Sequence, residues 1–384
     1  MQAERLRFLV MLLLLLSSSS ALANTLTVSK WGTPDYQVLQ EALDAAAPGD
    51  TILIQGGTFA ETTTRYWDSR NREAVGWIDK PLTIIGTDQA WLDGPDGTEN
   101  YCLFTNHDCS FQGIQIKDGG GYGILIWAGT SKVRDCKLQD LGDGVFCGNP
   151  GAHVSVSDSE FYRCYYSCIG VTISAIAEAD SCHFEARTGP GAVSKACYVS
   201  WDGSITLSNS EFIRYGMVEI YGPGIANVTG CTARDLRVSA LLAWNGGVIH
   251  ASQCSCAGGD SLPGPNGMEV SSGGRIIADS CRFDDMTYGA VGSTSGFVEL
   301  HDSEITNSRL YAVLLDSYTF GPKVTLDFTG NWWGTTDSTA IAASIYDGHD
   351  DPVKDPLGFV EFWPIRDVPL PAQEGSFGRL KAQY

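Results

Sequence analysis

Residues 133–139 read VRDCKLQ. Val133, Cys136 and Leu138 are apolar or thiol-bearing, with polar residues between them. Asp135, a residue suited to a bend, sits just before the cysteine. The phrase returns as HDCSFQG (107–113), VSDSEFY (156–162), ADSCHFE (179–185), LSNSEFI (207–213), VTGCTAR (228–234), ASQCSCA (251–257), ADSCRFD (278–284) and LHDSEIT (300–306). The anchors Cys109, Cys136, Ser159, Cys182, Ser210, Cys231, Cys254, Cys281 and Ser303 recur with a mean spacing of about 24 residues, a period that signals a solenoid.

The columns around the anchor say which solenoid. Two residues after it stand Phe111, Leu138, Phe161, Phe184, Phe212, Ala233, Cys256, Phe283 and Ile305. The residue between is mostly polar, and Val133, Val156, Leu207, Val228 and Leu300 lie three before. This is period-2 alternation, hence strands with one face inward. Further strand-like runs follow, such as GILIWAG (123–129), GVFCG (144–148), GMVEIYG (216–222), ALLAWNG (240–246) and GMEVSSG (267–273), with no room for helices between. Strand, bend, strand and bend over this period make one coil of a parallel β-helix, with coils ~4.8 Å apart. The expectation is an all-β, single-stranded right-handed parallel β-helix of about ten coils, with an N-terminal helix cap and a short C-terminal helix. In such a stack one column becomes one vertical row, so the repeated cysteine is a small buried core residue. Disulfide pairing of these anchors is not expected. Cys164 and Cys168 in RCYYSC are candidates for a bridge, and no CxxC points to a metal.

The ends have their own signals. Arg5 and Arg7, the apolar run FLVMLLLLL (8–16) and ALA (21–23) read as a signal peptide over 1–23. Residues 24–56 read as cap helix and first strand, 57–336 as repeats, and 337–384 as C-terminal cap and tail. Val38, Leu39, Ala42, Leu43 and Ala46 have helical spacing, which Pro48-Gly49 stops. STAIAASIYDG (338–348) is a second short amphipathic helix with Asp337 or Ser338 as N-cap. Trp332, Trp333, Phe362 and Trp363 are expected to cover the last coil, followed by a loosely ordered tail.

The helix with APGDTILIQGGTFAE (47–61) resembles the opening of pectin-lyase-like right-handed parallel β-helix proteins. The repeats and GNWWGTTDSTAIAASIYDGHDDP (330–352) are similar to secreted bacterial β-helix repeat proteins of the NosD-related group. The resemblance covers about residues 30–365 and implies the fold. Function is not implied, because this fold carries lyases, hydrolases, esterases, epimerases and non-enzymes. The paired aspartates and Gly-His-Gly of polygalacturonases and the Arg-Pro-Trp of pectin methylesterases are absent. Asp143 resembles the aspartate of a polygalacturonase strand, or else sits in a turn before Gly144.

The chain has 25 basic and 45 acidic residues, a net charge of −20. Such a surface repels nucleic acid and anionic membranes. An outward row of Trp127, Trp201, Tyr221 and Trp244, with Asn245 and Asp202 beside it, suits sugar rings, whose apolar faces stack while their hydroxyls find acceptors. Stacking that only stabilises the solenoid is the alternative. The insertion RYWDSRNREAVGW (65–77) reads as a loop beside this row or as an ornament of the N-terminal cap. The candidate ligand-binding residues are therefore Trp127, Trp201, Tyr221, Trp244 and Asn245. The catalytic candidates are Asp143, Asp202, Glu219 and Glu269. No metal ligands and no cofactor are expected, with Ca2+ kept open by the resemblance to pectate lyases. The expected protein is a secreted or periplasmic monomer with no membrane span. It binds a polysaccharide or cell-surface glycan along its aromatic face. The alternatives are a polysaccharide lyase or glycoside hydrolase of this fold, and a structural surface protein or adhesin.

Overall fold

A computed structural model describes residues 23–371 apart from 88, 188–194, 260–263, 294–295, 317–323 and 351–357. The leader read over 1–23 lies, except for its last residue, outside the described residues, as does most of the tail.

The chain winds into a parallel β-helix. A typical coil runs Asp143–Cys147, a turn, His153–Ser157, a one-residue bend at Asp158, Glu160–Tyr162 and a second turn. The first strand of each coil joins a 13-stranded sheet, and the strands around the bend join a 22-stranded sheet. One member of the 13-stranded sheet is the hairpin strand Thr63–Trp67, so the other twelve mark twelve coils, more than the ten expected.

The bend shows why the anchor column repeats. Asp135, Asp158, Ser181, Asn209, Gly230, Gln253, Ser280 and Asp302 all adopt left-handed backbone, with φ from 46° to 63°. Short polar residues and glycine tolerate that region best. The chain then turns its next side chain into the core. Ser159, Ser210 and Ser303 donate back to the carbonyl two residues earlier, at 2.8, 2.7 and 2.7 Å. The same hydroxyls accept the backbone N–H of Cys136, Cys182 and Cys281 on the preceding coil. Cys136, Cys182, Cys254 and Cys281 donate their thiols to the equivalent carbonyl at 3.2–3.3 Å. Cysteine and serine alternate here because both are small and both can donate into the bend. Asn331 closes the column, its Oδ1 accepting from the Ser303 N–H at 2.8 Å.

Cys109 departs from the expected column. It precedes the strand Ser110–Gln112, whose Phe111 pairs with Val133 and not with Leu138. In that coil the bend is Gly113, at φ 64°, and the inward residue is Ile114; the following strand pairs Ile116 with Leu138. The letters HDCSFQG match the repeat, but the left-handed residue lies four positions beyond the cysteine. The remaining columns register as read. Leu138, Phe161, Phe184, Phe212 and Ala233 pair in sequence, and the rings of Phe161, Phe184 and Phe212 stack with centroids 5.1 and 4.7 Å apart. All twelve cysteines are buried, and Cys164 and Cys168 form no disulfide.

Helix α1, Leu39–Ala45, buries Leu39, Ala42 and Leu43 over the first coil. Helix α2, Ser338–Ala343, is capped by Asp337, which accepts from the Thr339 and Ala340 N–H groups. Trp333 packs on Phe328 and Phe362 over the last coil. Trp363 does not join them and is exposed.

Candidate functional site

The outward face of the 13-stranded sheet carries most of the candidate residues. Three outward rows cross it. The first row contains Tyr122 and Asp143, then Ser167, which pairs with Asp143, and Lys195, which pairs with Gly216. The second runs Leu125, Phe146, Gly170, Tyr198, Glu219, Leu242 and Glu269. The third holds Ser200, Tyr221, Trp244 and Ser271.

Lys195 opens the strand Lys195–Ser200. Ala196, Cys197 and Val199 of that strand fill the core, and Tyr198 faces out. Lys195 is itself buried, and its Nζ donates to the Ser239 backbone carbonyl at 2.6 Å. Burial lowers its pKa to about 8 from an ordinary 10.5, opposed by the charges of Glu219 and Glu269, which favour the ammonium. Beside it Asp143 opens the strand Asp143–Cys147 and takes a hydrogen bond from the Ser167 hydroxyl at 2.5 Å. Burial outweighs that bond and pushes the Asp143 carboxyl up to about 6. Glu219 is also raised, by burial first and by Glu269, against Lys195, which lowers it. Asp143, Ser167, Lys195 and Glu219 line one cavity of about 390 Å3, walled by Phe146, Tyr165, Tyr166 and Tyr198. The N–H groups of Tyr165 and Tyr166 bond the Leu141 and Gly142 carbonyls, which fixes this turn, while both rings stay exposed. A buried amine with a lowered pKa, carboxyls with raised ones and an aromatic rim are groups able to exchange protons with a bound ligand.

A larger cavity, about 840 Å3, adjoins the first and shares Tyr165. Its Arg163 is held by Asp140 and its Arg214 by Glu185.

Of the sequence candidates, Asp143 and Glu219 reach the cavity, and Glu269 lies two coils beyond Glu219 in the second row. Asp202 does not join them. It lies with Trp201 in the turn after Ser200, both at left-handed φ, 61° and 49°. Trp201 also leaves the aromatic row, because Ser200, not Trp201, pairs with Tyr221. Trp201 occupies the turn position that Asn245 holds after Trp244, as the bonds Gly203 N–H to Ser200 and Gly247 N–H to Trp244 show. Trp127 stands in the third row by position but packs edge-on against Trp67, 6.2 Å between centroids. Trp67 comes from the hairpin Thr63–Trp67 and Arg70–Ile78, so the insertion does stand beside the row and covers its end. Tyr221 and Trp244 remain adjacent, 6.4 Å apart, with Tyr221 exposed, Trp244 half-buried and Asn245 exposed next to it.

Sequence reading missed Lys195. The residues before it, 188–194, interrupt the repeat, and no other row member is a lysine. A signal existed: Lys195 stands in the row that already carries Asp143. The donor set among the described residues does not fit Ca2+. Among the described residues no group of three or more His, Cys, Asp or Glu side chains could hold a metal ion, and no step below runs through one.

The coil and its sheets define a parallel β-helix protein. No protein-family model matches the chain. Pectate lyase L of Paenibacillus polymyxa (strain SC2) is 28% identical over 125 residues, 31% of this chain and 28% of that protein. The solved Agl-KA catalytic domain superposes with a TM-score of 0.57 at 12% identity, over 84% of this chain and 63% of that one. Pectate lyase Pel9A gives a TM-score of 0.47 at 13% identity over 78% of each chain. The chain thus spans under two thirds of the length of pectate lyase L and of the Agl-KA domain.

Proposed function

We propose that this chain is a polysaccharide lyase that cleaves a uronate-containing glycan on the outward face of the 13-stranded sheet, with Lys195 as base. The observation that carries the reading is the buried Lys195 amine, held on the Ser239 carbonyl inside an aromatic-walled cavity, where burial lowers its pKa to about 8. The ring proton beside a uronate carboxylate is weakly acidic, and a base with pKa near the working pH removes it best. The amine takes that C5 proton, and the C–H electron pair forms the C4=C5 double bond. The C4–O bond breaks, and the departing oxygen takes a proton back from the new ammonium. Asp143 and Glu219, both raised by burial, line the same cavity beside the amine. Tyr165, Tyr166 and Tyr198 stack on the sugar ring, and Tyr221, Trp244 and Asn245 extend the binding face. The likeness to pectate lyase L supports this chemistry. Such a polymer is met outside the cytoplasm, in keeping with the leader read at 1–23 and a secreted or periplasmic monomer. No helix among the described residues is long and apolar enough to cross a membrane.

The test is to incubate the protein and its Lys195→Ala variant with pectate, alginate and a neutral glucan. Unsaturated sugar ends, read by ultraviolet absorbance and mass, are expected from the unmodified protein on a uronate polymer, with a loss of at least ~1,000-fold in the variant. Saturated reducing ends would identify a hydrolase instead, and undiminished elimination by the variant would remove Lys195 from its role. The exposure of Tyr221 favours a second reading, glycan binding without cleavage, which would show as retention on the polymer with no product.

A further inference from the structure

We infer that Glu269 is a positioning residue for the Lys195 amine, acting through Ser239 across the bare backbone of Gly216. The inference rests on the lyase reading for its consequence in catalysis, while its geometry is independent of it.

Lys195 pairs with Gly216 in the sheet. A Cβ at Gly216 would lie 2.5 Å from Lys195 Cδ and 3.0 Å from its Nζ, and would press on the Ser239 carbonyl oxygen. The lysine stem therefore lies along the sheet over a position that only glycine leaves open, and its amine reaches the following coil. There the Ser239 carbonyl accepts one N–H. That acceptor serves the amine and the ammonium alike, and it fixes where the lone pair of the neutral form points. Ser239 is held in turn: its hydroxyl donates to Glu269 Oε2, and Asn266 Nδ2 donates to the same oxygen at 3.1 Å. Glu269 does not line the cavity that Lys195 faces. Its carboxylate thus sits behind the base, steadies the residue whose carbonyl aims the amine, and favours the ammonium through space.

The titratable groups around the amine are Glu219 and Glu269 on the following coils, Tyr198 on its own strand, Asp143 two coils earlier, and Tyr165 and Tyr166 on the turn above. Of these only Glu269 combines charge with a hydrogen-bonded path to the amine's acceptor. Losing it removes an opposite charge, so the proton affinity of Lys195 falls.

The experiment follows the Lys195 side chain by NMR in the full chain labelled at lysine, assigned by its disappearance in Lys195→Met. In Glu269→Gln the Lys195 titration is expected to move to lower pH by about one pH unit, roughly a tenfold loss of proton affinity. The acid limb of any elimination rate moves with it. In Gly216→Ala the amine is driven off the Ser239 carbonyl and its titration rises toward that of a solvated lysine. If Gly216→Ala does not fold, Glu269→Gln alone decides. An unchanged Lys195 titration in Glu269→Gln overturns the inference. If the titration moves but the unmodified protein makes no unsaturated product from any uronate polymer, the positioning role stands and the lyase reading fails. Product formation with an unmoved titration leaves the lyase reading standing and removes Glu269 from its role.

Discussion

Replacing Lys195 by methionine should make the protein more stable at neutral pH and, on the lyase reading, abolish elimination. Methionine matches the length of the lysine stem and carries no charge into the buried site. The amine falls from its ordinary 10.5 to about 8 in the folded chain. At ~1.4 kcal/mol for each tenfold change in proton affinity, that difference is worth about 3 kcal/mol. Between these two values the unfolded chain holds more protons than the folded one, so the stability of the unmodified protein climbs as pH rises through that window. Below pH 8 the full cost of burying the charge is present. Methionine removes it and also removes the N–H given to Ser239, a loss of about 1 kcal/mol. The net gain is about 2 kcal/mol at pH 7. It shrinks above pH 8 and changes sign near pH 10. Urea unfolding midpoints of both proteins at pH 6, 7, 9 and 10, followed by tryptophan fluorescence, read this directly. A variant that is no more stable at pH 7, with a difference independent of pH, would refute a proton-shedding buried lysine.

Asp143→Asn should stabilise the protein above pH 6 by about 3 kcal/mol and leave it unchanged near pH 3, because the folded carboxyl holds its proton from its ordinary 3.8 up to about 6; the same urea series checks it. Tyr221→Ala should weaken glycan retention about fivefold in affinity electrophoresis with little change in stability, whereas Trp127→Ala, packed under Trp67, should cost about 2 kcal/mol in unfolding and leave retention intact. Ser210→Ala strands the Cys182 N–H in the core and should cost about 2 kcal/mol, while Cys281→Ser should cost under ~1 kcal/mol because serine already fills this column elsewhere; thermal unfolding separates the two.

The architecture was readable because each coil repeats a physical requirement. A left-handed residue, then a small donor, then a large apolar side chain is forced by the bend, and the same letters return wherever the bend does. Cys109 shows the limit: letters can match when the backbone conformation has moved to Gly113. Trp201 shows another. Aligning tryptophan with tryptophan puts it in one row with Tyr221 and Trp244, but the turn glycines Gly203 and Gly247 set the true register, one residue away. The catalytic candidates were half legible, since carboxylates in outward rows, Asp143, Glu219 and Glu269, can be found by periodicity. Lys195 was not. Its character comes from Gly216, Ser239 and Glu269, whose nearness depends on how coils of unequal length stack, and period alone does not supply that.

The left-handed bend also governs how such a chain can change length. One residue added between a bend and its anchor would turn every following side chain to the wrong face until the next bend, emptying that storey of its filling. Residues added in the turns that flank the 13-stranded sheet displace nothing inside. Growth is therefore confined to whole storeys or to those outer turns, and one such turn, at Tyr165 and Tyr166, forms one wall of the Lys195 cavity. A part of the molecule free to vary in length thus borders the cavity without disturbing the stack beneath it.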